Sequence, residues 1–336
     1  MLGRQYRNQI LTAYKKCRRG LIALHNKWFC FSCIGVIALA CIGYRFDTLP
    51  TVIVILLAVC LIGVPHGGLD HLTGRKHLID RWGAYWAIPF FSVYLAVAMV
   101  TVLGWLISPL FTSIAFFILS AGHFGQQDTA GLESASRFQM ALNLASGGLV
   151  IWIPAIARPL EMQSILDGII PESMSMSGSV IVFWTQILAL LMLPIALIDA
   201  LYPLRAPNSR TKDVTERALR QLILVGLFAL TPIPISFAIY FCGWHSIRGL
   251  RDLMHEHKMK LGELLWASLP MSSGAIALIA LGMWFWYSDR ELSVELTRTL
   301  FIGLSAIAVP HLTLHAISSP WLDRSKIATL PIRGIV

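Results

Sequence analysis

The sequence predicts an all-α protein, a polytopic integral membrane bundle of about ten helices within a range of roughly eight to ten. Two observations carry this prediction. The chain has 336 residues, of which 56% are hydrophobic and 13% are charged, and its mean hydropathy is +0.67, whereas soluble domains carry roughly 25% charged residues. Apolar runs of membrane-spanning length also recur along the chain, and no polar stretch between them is large enough for a separate domain.

The apolar runs divide the chain into a basic cytoplasmic segment 1–27, a single transmembrane domain 28–317 and a cytoplasmic tail 318–336. The first segment has no acidic residue and no cleavage site of small residues, so we expect the first helix to remain as a membrane anchor. Each later span is an apolar run of about the length that crosses a bilayer. The predicted spans, in chain order, are 28–45, 50–66, 86–106, 109–124, 138–157, 179–203, 215–231, 234–250, 264–287 and 297–317.

The boundary between the spans 215–231 and 234–250 lies in "ALTPIPIS", which contains Pro232 and Pro234. Such prolines mark either a turn between two helices or a kink within one. The charge distribution favours a turn between two helices, because the basic stretch that begins at Arg248 then lies on the cytoplasmic side of the membrane. This threading places both termini in the cytoplasm and most Lys and Arg residues inside, as expected of a bacterial inner-membrane protein. The net charge of +9 is therefore attributed to the positive-inside rule, and no nucleic-acid partner is expected.

Histidines recur at the same ends of alternate predicted helices. Helices that run in one direction place these ends at one depth, so we expect the histidines to meet. An ionisable side chain within a membrane segment is costly and faces the bundle interior with a partner. Neutral imidazole is the commonest protein metal ligand and suits iron, copper and zinc, so the sequence predicts a metal site. The histidines concerned are His66, His71, His123, His245, His311 and His315.

We expect nearby acidic residues to accept hydrogen bonds from these imidazoles and so to orient them. Asp70 lies four residues after His66 and shares its helical face, where a carboxylate could orient an imidazole of the cluster. Asp128, near His123, could do the same. His71 is assigned either to such a supporting role or to a purely structural one.

Four motifs in order, "PHGGLDH", "HFGQQD", "WHSIRGLRD" and "PHLTLH", resemble those of the Brp/Blh family of bacterial and archaeal membrane proteins, the β-carotene 15,15′-dioxygenases. The resemblance extends over residues 65 to 315. It implies that His66, His123 and His245 bind iron. It also implies an iron-dependent cleavage of the central double bond of β-carotene by dioxygen, which yields two molecules of retinal.

One position departs from the family pattern. The tryptophan–histidine motif of the family continues with a second histidine four residues after the first, and this chain has Gly249 there. His311 is the natural substitute, with His315 one turn later as the less certain choice. Alternatively, three imidazoles and water complete the site, or the chain is a diverged member with altered chemistry.

The implied chemistry agrees with the residue types. Neutral imidazoles leave Fe²⁺ its full charge, and four ligands on an octahedral ion leave two adjacent positions for dioxygen. The substrate is apolar, so it can enter from the lipid bilayer without passing through water. A rhodopsin-type partner would then receive the retinal. Four aromatic residues beside the predicted ligands are expected to line a substrate tunnel, namely Phe124, Tyr240, Phe241 and Trp244.

The sequence alone leaves three other functions open. The missing histidine at Gly249 favours a non-catalytic carotenoid or retinal carrier, or an opsin-assembly protein descended from the enzymes. A dioxygenase that acts on another carotenoid is equally consistent with the motifs. A metal or proton transporter is disfavoured because such pathways usually carry intramembrane carboxylates, of which Asp199 is the main example here.

Overall fold

The described part of the chain is helical throughout. The computed structural model describes residues 24–46, 49–128, 137–170, 174, 176–201, 211–286 and 292–318. Within these ranges every regular element is a helix and no strand occurs. The segments predicted as cytoplasmic, 1–27 and 318–336, lie almost entirely outside the described residues, and the first described helix already begins at Leu24.

The first half of the described chain contains α1 Leu24–Cys41, α2 Leu49–Ala58, α3 Val64–Gly67, α4 Asp70–Trp82, α5 Ala87–Ile107, α6 Pro109–Asp128, α7 Arg137–Gly147 and α8 Leu149–Ala157. The second half contains α9 Pro159–Ile169, α10 Gly178–Leu201, α11 Thr211–Leu230, α12 Ile233–Tyr240, α13 Ile247–His257, α14 Leu261–Trp286 and α15 Leu292–Ser318. Two π-helical turns, Val59–Gly63 and Phe241–Ser246, and one 3₁₀ turn, Gly83–Tyr85, connect neighbouring helices.

This is a membrane protein by the length and composition of its helices. Among the described residues, five helices are long and apolar enough to cross a bilayer, and the bent pair formed by Gln139–Gly147 and Leu149–Ala157 can supply a sixth. The predicted number of about ten crossings is not confirmed, because two of the remaining predicted spans contain only the shorter apolar helices Ala218–Leu230 and Phe301–Ile317. The five long candidates are Leu24–Cys41, Ile53–Tyr85, Ala87–Ile107, Gly178–Leu201 and Leu261–Gly282.

The second predicted span continues well beyond its expected end. The apolar run stops near His66, yet the helical path continues through α3 and α4 and makes one segment of 33 residues, Ile53–Tyr85. A bilayer core needs only about 20 residues. The charged α4 therefore extends the helical segment past the apolar run, and the fall in hydrophobicity near His66 does not coincide with its end.

Close helix contacts bring the histidine-bearing segments together. A side chain at Gly125 or Gly147 would collide with the backbone of the opposite helix, so α6 and α7 cross at backbone contact, as small residues allow in membranes. Trp105 of α5 donates a hydrogen bond from Nε1 to Oγ of Ser305 at 2.8 Å, and both residues are buried. The first contact fixes α6, which carries His123, and the second joins α15 to α5.

Candidate metal centre

Four imidazoles form a closed ring of neighbours inside the bundle. The ring centroid of His66 lies 5.0 Å from that of His245 and 5.1 Å from that of His311. The centroid of His123 lies 5.1 Å from each of the same two rings. We call this arrangement of four residues the histidine quadrilateral. Its corners come from α3, α6, α15 and the π-helical turn after α12, so segments far apart in the chain meet at one place.

The dimensions of the histidine quadrilateral fit one metal ion. Metal–nitrogen bonds of about 2.1 Å place two ring centroids about 4.6 Å apart at a right angle and about 5.3 Å apart at the tetrahedral angle. All four sides of the quadrilateral fall between these values. Ligand nitrogens of His66, His123 and His245 also lie within 4.8 Å of one another, whereas His311 falls within this distance of Asp70 and His315 as a second group.

Several ring nitrogens of the quadrilateral are buried and have no hydrogen-bond partner among the described residues. They are both nitrogens of His66, Nε2 of His123 and Nε2 of His311. A buried polar atom without a partner costs roughly 1–3 kcal/mol. A metal ion that accepts one lone pair from each imidazole would remove this cost for one nitrogen per ring, so the side chains present fit a bound metal.

Asp70 fixes the orientation of His311. The imidazole Nδ1 donates to Oδ1 of Asp70 at 2.7 Å, and the carboxylate is only 2% exposed. Because the proton is on Nδ1, the lone pair of His311 is on Nε2, the atom without a partner. Tyr94 in turn donates from its hydroxyl to Oδ2 of Asp70 at 2.9 Å, which holds the carboxylate in place.

The two other candidate histidines lie beside the quadrilateral. The ring of His315 is 4.4 Å from that of His311 and 5.3 Å from that of His123. Its Nε2 is 3.9 Å from Oδ1 of Asp70, and these two groups with His311 form a second cluster that could hold a metal. The 2.7 Å hydrogen bond between Asp70 and His311 explains that contact without an ion. His71 contacts the carbonyl oxygen of Gly68 through Nδ1 at 3.2 Å, which is a structural contact in the turn before α4.

The imidazole of His66 occupies the space next to Gly249. A Cβ atom at position 249 would overlap Cε1 and Nδ1 of His66 and approach Nε2 of Gln127 to 2.9 Å. A histidine at this position, as the resemblance predicts, would therefore have to displace the ring of His66. In this chain the fourth imidazole of the quadrilateral is that of His311.

The predicted role of Asp128 needs correction. Its carboxylate was expected to orient an imidazole near His123, but Oδ1 accepts hydrogen bonds from Trp244 Nε1 at 2.7 Å and from Arg248 at 3.2 Å. Both donors flank His245 in the chain. Asp128 therefore connects the end of α6 to the segment that carries His245, rather than contacting a ring of the quadrilateral.

An apolar cavity of about 550 Å³ begins at the quadrilateral, and all four imidazoles contribute to its wall. Phe124 and Phe241 also line it, with ring centroids 4.8 Å and 5.6 Å from that of His245. Leu95 of α5 and Leu278 of α14 belong to the same wall and are 55% and 57% exposed. The cavity wall therefore includes exposed positions of α5 and α14, two helices long and apolar enough to cross a bilayer.

Two of the predicted tunnel residues lie behind the cavity wall. Tyr240 and Trp244 are each 1% exposed and do not line the cavity. The reason is geometric, because they project from the π-helical turn and its preceding residue toward α6, where both reach Asp128. Phe124 and Phe241 are the two predicted aromatics that face the cavity.

Sequence reasoning missed Tyr94, Gln127 and Arg248 as parts of the site. Tyr94 lies in an apolar stretch of α5 and reaches Asp70 only because α5 packs beside α4. Gln127 donates from Nε2 to the carbonyl oxygen of His245 at 3.4 Å. The polarity of "GQQD" after His123 was a visible signal for Gln127, whereas nothing in the sequence indicated Tyr94.

We expect Asp70→Asn to weaken metal binding by roughly 10–100-fold, the usual cost of removing a carboxylate that orients a ligating imidazole. The amide keeps the shape of the side chain but loses the charge that fixes the His311 tautomer. Metal content after dialysis against a graded chelator measures the effect. Asp80→Asn, an exposed change in the same helix, is the matched control. Equal metal content in both variants would contradict the assigned role of Asp70.

Fold and site together define a helical membrane protein with a histidine cluster suited to a metal ion beside an apolar cavity. The model of the beta-carotene 15,15′-dioxygenase family matches residues 57–318. The chain belongs to this family of enzymes.

Two curated relatives agree with the family match. A beta-carotene 15,15′-dioxygenase from the uncultured marine bacterium 66A03 is 28% identical over 283 residues, which cover 81% of this chain and 96% of the relative. A probable beta-carotene 15,15′-dioxygenase Blh from Halobacterium salinarum is 23% identical over 290 residues, which cover 79% of this chain and 82% of the relative. No solved structure matches the chain significantly.

Proposed function

We propose that this protein cleaves β-carotene at its central 15,15′ double bond with dioxygen and releases two molecules of retinal. The observation that carries the proposal is the histidine quadrilateral in the wall of an apolar cavity. The names of the family and of both relatives support the same reaction. Each carbon of the broken double bond takes one oxygen atom, so the two atoms of one dioxygen molecule balance the two aldehydes.

We further propose that the ion is Fe²⁺ and that the four corners of the quadrilateral hold it. Iron(II) would supply the chemistry that activates dioxygen. A set of only neutral imidazoles suits iron, although zinc and copper share this preference. The proposed ligands are His66, His123, His245 and His311.

The chain itself contributes orientation and exclusion of water. Asp70 keeps the proton of His311 on Nδ1, so Nε2 stays available. Phe124 and Phe241 stand beside His245 and would position the polyene against the reacting centre by shape, since an apolar substrate offers no hydrogen bond. The exposed wall residues Leu95 and Leu278 support a lateral entrance from lipid, which would spare the carotenoid a passage through water.

The cellular setting follows from the charge pattern. A bacterial inner membrane with both termini in the cytoplasm agrees with the positive-inside rule, as does the division into 1–27, 28–317 and 318–336. Retinal released from the cavity would partition into the bilayer, where a rhodopsin-type protein could take it up.

A single preparation tests the proposal. Purified full-length protein is stripped with a chelator, reloaded separately with Fe²⁺ or Zn²⁺, and given β-carotene under ¹⁸O₂. We expect retinal only in the Fe²⁺ sample, with one labelled oxygen atom per retinal. Bound carotenoid without oxygen-dependent product would indicate a carrier instead, and apocarotenoids of other lengths would indicate another cleavage position.

A further inference from the structure

The segment that presents His245 receives contacts from α1, a helix that precedes the part of the chain matched by the family model. His25, in the first turn of α1, donates from Nε2 to the carbonyl oxygen of Gly243 at 2.9 Å. The His25 ring also stacks on Trp244, with centroids 5.5 Å apart and planes inclined by 12°. Both acceptor and stacking partner lie within two residues of His245.

A second side chain of α1 strengthens this contact. Phe29 is 4% exposed, and its ring centroid lies 4.9 Å from that of Trp244. Cys33, one turn further along α1, is completely buried. The inner face of α1 is thus packed into the bundle core from His25 to Cys33, and its first turn ends against the π-helical turn.

The π-helical turn Phe241–Ser246 needs such support. A π-helical turn is rare and departs from regular hydrogen bonding, and it is found mainly at functional sites. The Trp244 indole is held from several directions, by Asp128 at Nε1 and by the guanidinium groups of Arg220 and Arg248, 4.6 Å and 4.7 Å from the ring centroid. Among the described contacts of α1, the hydrogen bond of His25 is the one that reaches the backbone of the π-helical turn.

We propose that α1, through the hydrogen bond from His25 to Gly243, holds the π-helical turn in the register that directs His245 into the quadrilateral. His25 is then a positioning residue that acts through His245 and does not touch the metal or the substrate. This inference rests on the proposed function in so far as His245 binds a metal. It assigns a role to a part of the chain that lies outside the family match.

Two substitutions separate the hydrogen bond from packing. His25→Leu keeps a side chain of similar bulk in the contact but removes the donor. His25→Gln restores a donor at the position of the imidazole Nε2, so it serves as the conservative rescue. Ser32→Ala, at an exposed position of α1 whose hydroxyl bonds only within the helix, is the matched control.

Cobalt(II) provides the spectroscopic readout on full-length protein. We expect His25→Leu to bind Co²⁺ about 10-fold more weakly than the unchanged protein and to show shifted visible ligand-field bands. A 10-fold loss is the lower end of the range for removing a residue that orients a metal ligand. His25→Gln and Ser32→Ala should retain the original spectrum and affinity. An unaltered spectrum and affinity in His25→Leu would overturn the proposal, and so would a His25→Gln variant as impaired as His25→Leu.

Amide hydrogen exchange of the metal-free protein supplies a readout that does not depend on metal binding. We expect faster amide exchange in residues 241–247 of His25→Leu, with α10 and α14 unchanged, and original rates in His25→Gln. Equal rates in all variants would contradict the role of His25. Failure of the unchanged protein to bind Co²⁺ or Fe²⁺ would instead reject the proposed metal function, while the exchange result would still decide whether α1 holds the turn.

Discussion

His311→Ala is expected to abolish retinal formation as completely as His123→Ala, with a loss of activity of roughly 100-fold or more. Removal of an outer residue that only orients a metal ligand already costs about 10–100-fold in activity or metal affinity, and loss of the ligand itself should cost at least as much. The structure explains why: His311 is one of the four corners, its ring lies 5.1 Å from those of both His66 and His123, and its Nε2 has no partner among the described residues. In β-carotene-producing bacteria, both variants should leave the cells orange.

The matched control for His311→Ala is His315→Ala, one helical turn away on α15. Its side chain is 33% exposed and its Nε2 is 3.9 Å from Asp70, so we expect most activity and the full metal content to remain. Retinal yield by chromatography and metal per chain by elemental analysis measure both variants. If His315→Ala loses the metal while His311→Ala retains it, the fourth ligand has been assigned to the wrong histidine.

Gly249→Ala is expected to remove most bound metal while leaving the fold intact. Gly249 is buried in α13, and the added methyl group would overlap the ring of His66. That ring is the end of a flexible side chain, so it can turn aside at little cost to stability. The turned ring no longer points into the quadrilateral, and metal binding and retinal formation fall together.

The control for Gly249→Ala is Gly122→Ala, next to His123 in α6, where a new Cβ meets no atom within 4 Å. We expect this variant to keep its metal, and thermal unfolding should show both alanine variants to be folded. Gly249→His, which restores the family pattern, should be at least as impaired as Gly249→Ala. A histidine variant with more metal or more retinal than the unchanged protein would show that position 249 still provides the family ligand.

The local sequence pointed to the histidines that the structure brings together because chemistry and periodicity are local properties. Histidines at the ends of apolar runs signalled costly groups that need partners, and the spacing of His66 and Asp70 placed a carboxylate near the cluster. The all-helical class also follows from composition. The number of crossings did not, because Gly, Pro and π-helical turns break apolar stretches into pieces whose lengths hydropathy alone does not define.

What the sequence by itself determined is the all-helical class, the family and a set of candidate histidines. Only the tertiary structure decided how these groups are arranged: His311 lies at the fourth corner of the quadrilateral with His315 beside it, Asp128 contacts Trp244, and Tyr94 donates a hydrogen bond to Asp70. The physical reason is that side-chain contacts between helices depend on crossing geometry and on space. At Gly249 that space is filled by the His66 ring from α3, a contact between two helices that are far apart in the chain.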